Sequence, residues 1–252
     1  MKNYQERLKD MLEVNPFISY KDAVYEILRT DIISGVYPPH HKLVEYRIAE
    51  EFGTSRTPIK QAFELLEKQG FIYIKASTGS YVAPYNAAAF ADLFLVRYNL
   101  EKLAAAQACE RATLRDLKNL FRYSVEMDKA YQHYGEKKSD EAENNFHNQL
   151  ILCSHNDYLI DAYKSIALQI QRFRQYVTNN WKDMESAKQP VSDVLYSHLG
   201  TDFSTGKIYQ FRTQIGYEHY LIYQAIYNRS VTAAMAALTF VMAINNPAQV
   251  FY

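Results

Sequence analysis

The chain has 252 residues, 48% of them hydrophobic and 22% charged, which is long enough for two domains with separate cores and excludes an unfolded segment or a coiled rod. Lys plus Arg and Asp plus Glu both number 28, so no global field draws the chain to a polyanion, and any such binding has to come from local placement. Cys109 and Cys153 lack the spacing of a disulfide framework or a zinc ribbon, and no stretch has the apolar length of a membrane span or a secretion signal, so a cytoplasmic protein with no membrane partner is expected.

Residues 1–18 alternate charged and apolar side chains and read as an N-terminal extension, a short helix packing on one domain or the other. Ala23, Ile27, Leu28 and Ile32 share one face of a helix predicted from Lys21 to Ser34, which Gly35 stops and Pro38 and Pro39 keep from resuming. A second helix fits Val44 to Phe52, with Ile48 and Ala49 inward. Gly53 then permits a tight turn, and Ser55 or Thr54 can cap the next helix. That third helix, Thr57 to Lys68, takes Pro58 in its first turn, where the missing N–H costs nothing, and buries Ile59, Ala62, Phe63 and Leu66. FIYI at 71–74 and SYVAPY at 80–85 have strand composition, and KASTG joins them as a hairpin.

Three helices, the last two linked by a tight turn, and then a two-stranded ribbon describe a winged helix-turn-helix over residues 19–84, in which the recognition helix enters the major groove by its N-terminal end. Arg56 and Lys60 stand one helical turn apart at that end, where free N–H groups and the helix dipole already favour phosphate. Residues 19–83 carry eight cationic and eight anionic side chains, so non-specific affinity is expected to be weak. The cations precede Glu64 and Glu67, which orients the module end-on. A simpler reading pairs Lys60 with Glu64 on a solvated face.

From Ala87 onward the period is helical over 88–112, 114–134, 140–154 and 159–177, and again over Tyr209–Tyr227 and Val231–Ile244. The polar stretch 178–207, with Pro190, Gly200 and Gly206, reads as a loop around one short helix. The fold class is therefore mainly α: an N-terminal winged helix-turn-helix followed by an antiparallel all-helical bundle over 87–246.

These segments resemble a known family. LVEYRIAEEFGTSRTPIKQAFELLEKQGFIYI, with its SRTPIKQA run, resembles the DNA-binding module of GntR-family transcriptional regulators. DLFLVRYNLEKLAAAQACERA, in which Glu101 follows Arg97 by four residues, is similar to the opening helix of the FCD-type effector domain of the FadR-like branch. FHNQLILCSHNDYL and EHYLIYQAIYNRSVTAAMAAL look like its inner helices, and the likeness runs from about 20 to 243.

The resemblance implies DNA contacts at Ser55, Arg56, Thr57 and Lys60, supported by Arg47 and by Thr78 and Gly79 at the wing tip. Arg56 suits guanine, whose O6 and N7 accept two hydrogen bonds, or a phosphate clamp, and Lys60 suits phosphate. Ser77 and Thr78 depart from the glycine or arginine usual in such wings. The helical domain of the family often holds a divalent metal on an Asp and three His. Here the turn-apart pair is Glu143 and His147, His219 is a third ligand, and Val241 takes the last histidine's place; His198 or His155 are possible substitutes. Three ligands can hold zinc or nickel with an effector carboxylate or water completing the shell. Arg97, Glu143, His147 and His219 are the expected effector-binding residues, since an arginine facing a bundle interior needs an anion.

Simpler readings stand beside these: His219 as a hydrogen-bonded core residue, Glu143 with His147 as a solvated pair, and most of the 22 tyrosines as core. The implied function is a homodimeric repressor of a metabolic operon. It binds a double-stranded inverted-repeat operator and responds to a small carboxylate or sugar acid. Alternatives are a regulator with a metal-free apolar pocket and a metal-dependent enzyme on His147, His219 and Glu143. No HExxH, nucleophile elbow or phosphate loop supports the enzyme, so none is expected.

Overall fold

The computed structural model describes residues 2–133, 136–180, 198–202 and 205–244. The chain divides into two compact units, Met1–Asn86 and Ala87–Tyr252.

In the first unit α1 (Tyr4–Val14) begins at a capping box, with Asn3 and Glu6 each bonding the other's backbone N–H. Ser19 caps α2 (Tyr20–Ile33) by accepting from the N–H of Asp22. After β1 (Lys42–Leu43) come α3 (Glu45–Phe52), α4 (Arg56–Lys68), β2 (Ile72–Lys75) and β3 (Gly79–Val82). Gly53 ends α3 at φ +63°, a conformation that costs glycine nothing. The stripes expected on α2, α3 and α4 are buried, including Ala23, Leu28, Ile48, Ile59 and Leu66.

The wing is larger than the sequence indicated. β1 pairs with β3, and the sheet runs β1-β3-β2, all antiparallel. Two residues before Val44 carry too little pattern to be read as a strand; the open edge of β3 recruits them. Ser55 occupies the N-cap of α4, but its hydroxyl makes no capping bond. Lys60 forms no ion pair with Glu64 among the described contacts.

In the second unit α5 (Ala87–Arg111), α6 (Leu114–His133), α7 (Glu136–Leu152), α8 (Asp157–Asn180), α9 (Gln214–Tyr227) and α10 (Val231–Ile244) make the bundle. α6 packs on α7 and α9, α10 on α9 and α5, and α5 on α7 and α8. Short links between α7 and α8 and between α9 and α10 make these neighbours antiparallel. Ala104, Ala105 and Ala108 are fully buried on α5 and let the neighbouring helices come close. The end expected at 246 lies outside the described residues.

The bundle is not all helical. β4 (His198–Asp202) and β5 (Lys207–Phe211) form an antiparallel hairpin in which Leu199 pairs with Gln210 and Thr201 with Ile208. This corrects two expectations: within 178–207 the chain first completes α8 to Asn180 and then, at His198–Asp202 and Lys207, is strand, and α9 starts at Gln214 rather than Tyr209. Residues 181–197 lie outside the described set.

Asp128 of α6 explains where strand gives way to helix. Its carboxylate, fully buried, accepts from the N–H of Thr213 (2.7 Å), the Thr213 hydroxyl (2.7 Å), the N–H of Arg212 (3.1 Å) and the Tyr209 hydroxyl (2.8 Å). A carboxylate at a helix N-terminus satisfies orphan donors and meets the positive end of the dipole. Gly216 lets α9 approach this close: a Cβ there would meet Asp128 Cβ at 2.5 Å and its Cα at 2.8 Å. Gly216→Ala is therefore expected to destabilise the second unit by about 1 to 3 kcal/mol through overpacking, read as a lower melting temperature. An unchanged melting temperature would show that the contact relaxes freely.

Candidate functional site

Two places gather the chemistry singled out by the sequence, one in each unit.

The first is the N-terminal end of α4. Ser55, Arg56, Thr57 and Lys60 are all exposed there, on the side away from the buried stripe. The Arg56 side chain is 70% exposed and donates from Nη2 to Glu45 Oε2 at 3.2 Å, an exposed pair that is easily exchanged for another anion. Arg47, on α3, is exposed and donates from Nε to the Tyr46 hydroxyl at 3.1 Å. The wing tip is also exposed. Thr78 donates to the carbonyl of Lys75, Ser77 sits at φ +66°, and Gly79 at φ +112° lets the tip turn back into β3. The end of α4 thus offers a free serine hydroxyl, unpaired helix N–H groups and two flexible cations to an outside anion.

The second place is a buried polar cluster. Arg97 and Glu101 are 1% and 0% exposed, and Arg97 Nε donates to Glu101 Oε1 at 2.6 Å. The Tyr163 hydroxyl donates to the same oxygen at 3.2 Å. His147 Nδ1 lies 3.1 Å from Glu101 Oε2, but the alignment is not that of a hydrogen bond, and both atoms lack a hydrogen-bond partner, as does Arg97 Nη1. The Arg174 guanidinium is bound to Glu143 Oε1, which lies 3.8 Å from His147 Nε2. His219 Nδ1 lies 2.7 Å from the carbonyl of Ile215 and is assigned the proton, so Nε2 carries a lone pair; that atom faces His147 Nε2 at 3.3 Å.

Electrostatics hold this cluster in a defined charge state. Burial opposes the Glu101 carboxylate, but the Arg97 guanidinium outweighs it and keeps its pKa well below the usual range. Burial likewise opposes the Arg97 cation and is outweighed by Glu101. Burial pushes both histidines down, His219 to about 3 with His147 adding to the effect, so both are neutral at pH 7. Glu143 is held below its ordinary value because Arg174 overcomes the burial. Two guanidinium groups and two carboxylates leave the cluster balanced.

The anion that Arg97 was expected to need is thus Glu101, one turn further along its own helix. Glu143 and His147 are buried, which rules out a solvated pair. His219 is fully buried, and His155 lies apart, exposed, with Nε2 2.8 Å from Asp116. His198 belongs to β4, and its side chain is outside the described residues. Val241 is a buried apolar side chain. Among the described residues no three His, Cys, Asp or Glu side chains converge on a point where a metal could sit, and Glu143 is already paired with Arg174. The three expected ligands do not fit a metal as they stand. Arg174 and Tyr163 carried no signal in the sequence, because each acts on a residue more than 30 positions away.

Comparison with known proteins bears on both places. Residues 20–82 match the gntR family of bacterial regulatory proteins, and residues 92–243, more than half of the chain, match the FCD domain. The chain is 31% identical over 137 residues to the uncharacterized HTH-type transcriptional regulator YdhC of Bacillus subtilis, an alignment covering 54% of this chain and 61% of that one. It is 29% identical to the Nta operon transcriptional regulator of Aminobacter aminovorans, covering 58% and 68% of the two chains. It is 28% identical to the galactonate operon transcriptional repressor of Escherichia coli, covering 55% and 68%. The solved structure of McbR/YncC from E. coli shares the fold, with a TM-score of 0.68 at 18% identity over 93% of this chain and 98% of that one.

Proposed function

This chain belongs to the GntR family of bacterial regulatory proteins and carries an FCD domain, and from that premise we propose that it is a homodimeric repressor of a metabolic operon that binds an inverted-repeat operator and is modulated by a small carboxylate or sugar acid. It is a transcriptional regulator and not an enzyme, in line with its relatives. The observation that carries the DNA reading is the exposed end of α4, with Arg56 and Lys60 turned outward. Two-fold symmetry follows from energetics: one module with two committed cations binds weakly, and pairing two on a symmetric site multiplies the contacts. No described helix is long and apolar enough to cross a membrane, and a cytoplasmic regulator is consistent with that.

The effector reading rests on Arg97. Its buried Nη1 has no partner, so an anionic or hydroxylated ligand that reaches it gains a charge-assisted hydrogen bond the protein does not supply. The galactonate repressor among the relatives favours a sugar acid. Footprinting of purified protein on the DNA upstream of its own gene is expected to protect two symmetric half-sites, and candidate sugar acids are expected to weaken that protection. Protection of a single half-site, or of none, would remove the dimeric-repressor reading.

A divalent metal is a second reading, favoured by one observation: the Nε2 atoms of His147 and His219 face each other at 3.3 Å, while Nδ1 of His219 is bound to the Ile215 carbonyl. Zinc or nickel there requires Glu143 to leave Arg174. Metal analysis decides: about one equivalent in the wild type, lost in His147→Ala, supports the metal, whereas metal-free wild type after loading leaves the regulator with a metal-free pocket.

A further inference from the structure

α1 lies outside the residues that match the gntR family, yet it is built into the first unit. Asp31 of α2 is 4% exposed, a position in which a carboxylate needs partners. Three hydrogen bonds to that carboxylate come from α1. Arg7 donates from Nη1 to Oδ2 and from Nη2 to Oδ1, both at 2.8 Å, and the Tyr4 hydroxyl donates to Oδ2 at 2.8 Å. That hydroxyl also meets the Tyr37 hydroxyl, in the loop after α2, at 2.9 Å.

The other side of α1 seats on the helix-turn-helix itself. The Tyr4 ring stacks on Phe52, the last residue of α3, with centroids 4.6 Å apart and planes 15° apart. The Gln5 side chain covers Gly53, where an added Cβ would meet Gln5 Nε2 at 3.1 Å. Leu8 is buried beneath. α1 therefore fastens α2, the loop after it and the end of α3 at the turn from which α4 departs. Lys2, just before α1, pairs with Asp10 at 2.6 Å and Lys9 with Glu13 at 3.7 Å; both pairs are exposed and easily exchanged, so the salt dependence of binding is what separates positioning from direct phosphate contact.

We propose that α1 is a positioning element for DNA recognition: through Arg7, Tyr4 and Gln5 it fixes the end of α3 and the Gly53 turn so that Arg56 and Lys60 reach the groove together. The proposal rests on the DNA-binding reading above.

The test compares full-length wild type, Arg7→Ala, and the paired change Arg7→Gln with Asp31→Asn, which replaces the ion pair by a neutral hydrogen-bonded one. Affinity for the upstream DNA is measured across a salt series. Hydrogen exchange is followed, without DNA, at the amides of Gly53 and Thr54, which donate to the carbonyls of Glu50 and Ala49. Arg7→Ala is expected to weaken specific binding about tenfold, with an unchanged dependence on salt and faster exchange at both amides, and the neutral pair is expected to restore most of each. Wild-type affinity in Arg7→Ala overturns the proposal. So does a salt dependence shallower by about one per lost phosphate contact, since α1 would then touch DNA directly. Wild type that binds no duplex sinks the regulator reading as well, which separates the two failures. If Arg7→Ala does not fold, Gln5→Ala, which removes only the cover over Gly53, carries the same comparison.

Discussion

Replacing Glu101 by alanine is expected to destabilise the helical unit by about 3 to 5 kcal/mol, the cost of removing one partner of a buried ion pair. Glu101 is fully buried and accepts from two neighbours at once, Arg97 Nε at 2.6 Å and the Tyr163 hydroxyl at 3.2 Å, with His147 Nδ1 3.1 Å from its other oxygen but not hydrogen-bonded to it. Without it the Arg97 guanidinium stays inside the bundle as a buried cation with no anion on its own helix. Chemical denaturation of the purified protein, following the transition of the helical unit, measures the loss. A transition displaced by less than about 1 kcal/mol would mean that Arg97 swings to solvent or to Glu143 and that Glu101 does not hold it in place. Glu101→Gln is expected to lose less, since the carboxamide keeps an acceptor for Arg97 and Tyr163.

Arg56→Ala is expected to remove about 1 to 3 kcal/mol of specific DNA binding and to relax base preference at one position of each half-site. The side chain is exposed and, among the described residues, paired with Glu45 alone, a contact worth little in water, so the variant should melt with the wild type while losing the operator. Lys60→Ala makes the contrast. A phosphate contact weakens binding to all sequences alike and lowers the salt dependence by about one. Gel shifts against the operator and a scrambled duplex separate the two, and an Arg56→Ala protein with wild-type affinity and selectivity would show that α4 does not enter the groove as read.

Most of the first unit was legible because its helices are amphipathic and sharply punctuated. Ile59, Ala62, Phe63 and Leu66 repeat at helical spacing, Pro58 suits a first turn, and Gly53 and Gly70 end the helices on either side, all within a few residues of what they determine. The cations at the start of α4 were legible for the same reason. Arg97 with Glu101, and Glu143 with His147, are one-turn pairs whose shared helix face follows from spacing alone.

Sequence by itself therefore determined the order of elements, the burying face of each helix and the cations that open α4, since these depend on neighbours along the chain. Tertiary structure alone decided which distant groups meet: β1 on β3, the hairpin and α9 on Asp128, Glu143 on Arg174, and α1 on Asp31 and Gly53. The physical reason is that periodicity records how much of a side chain is buried, whereas a buried charge is satisfied by whichever opposite group the packed elements bring within hydrogen-bond reach, and that partner leaves no mark in the local pattern.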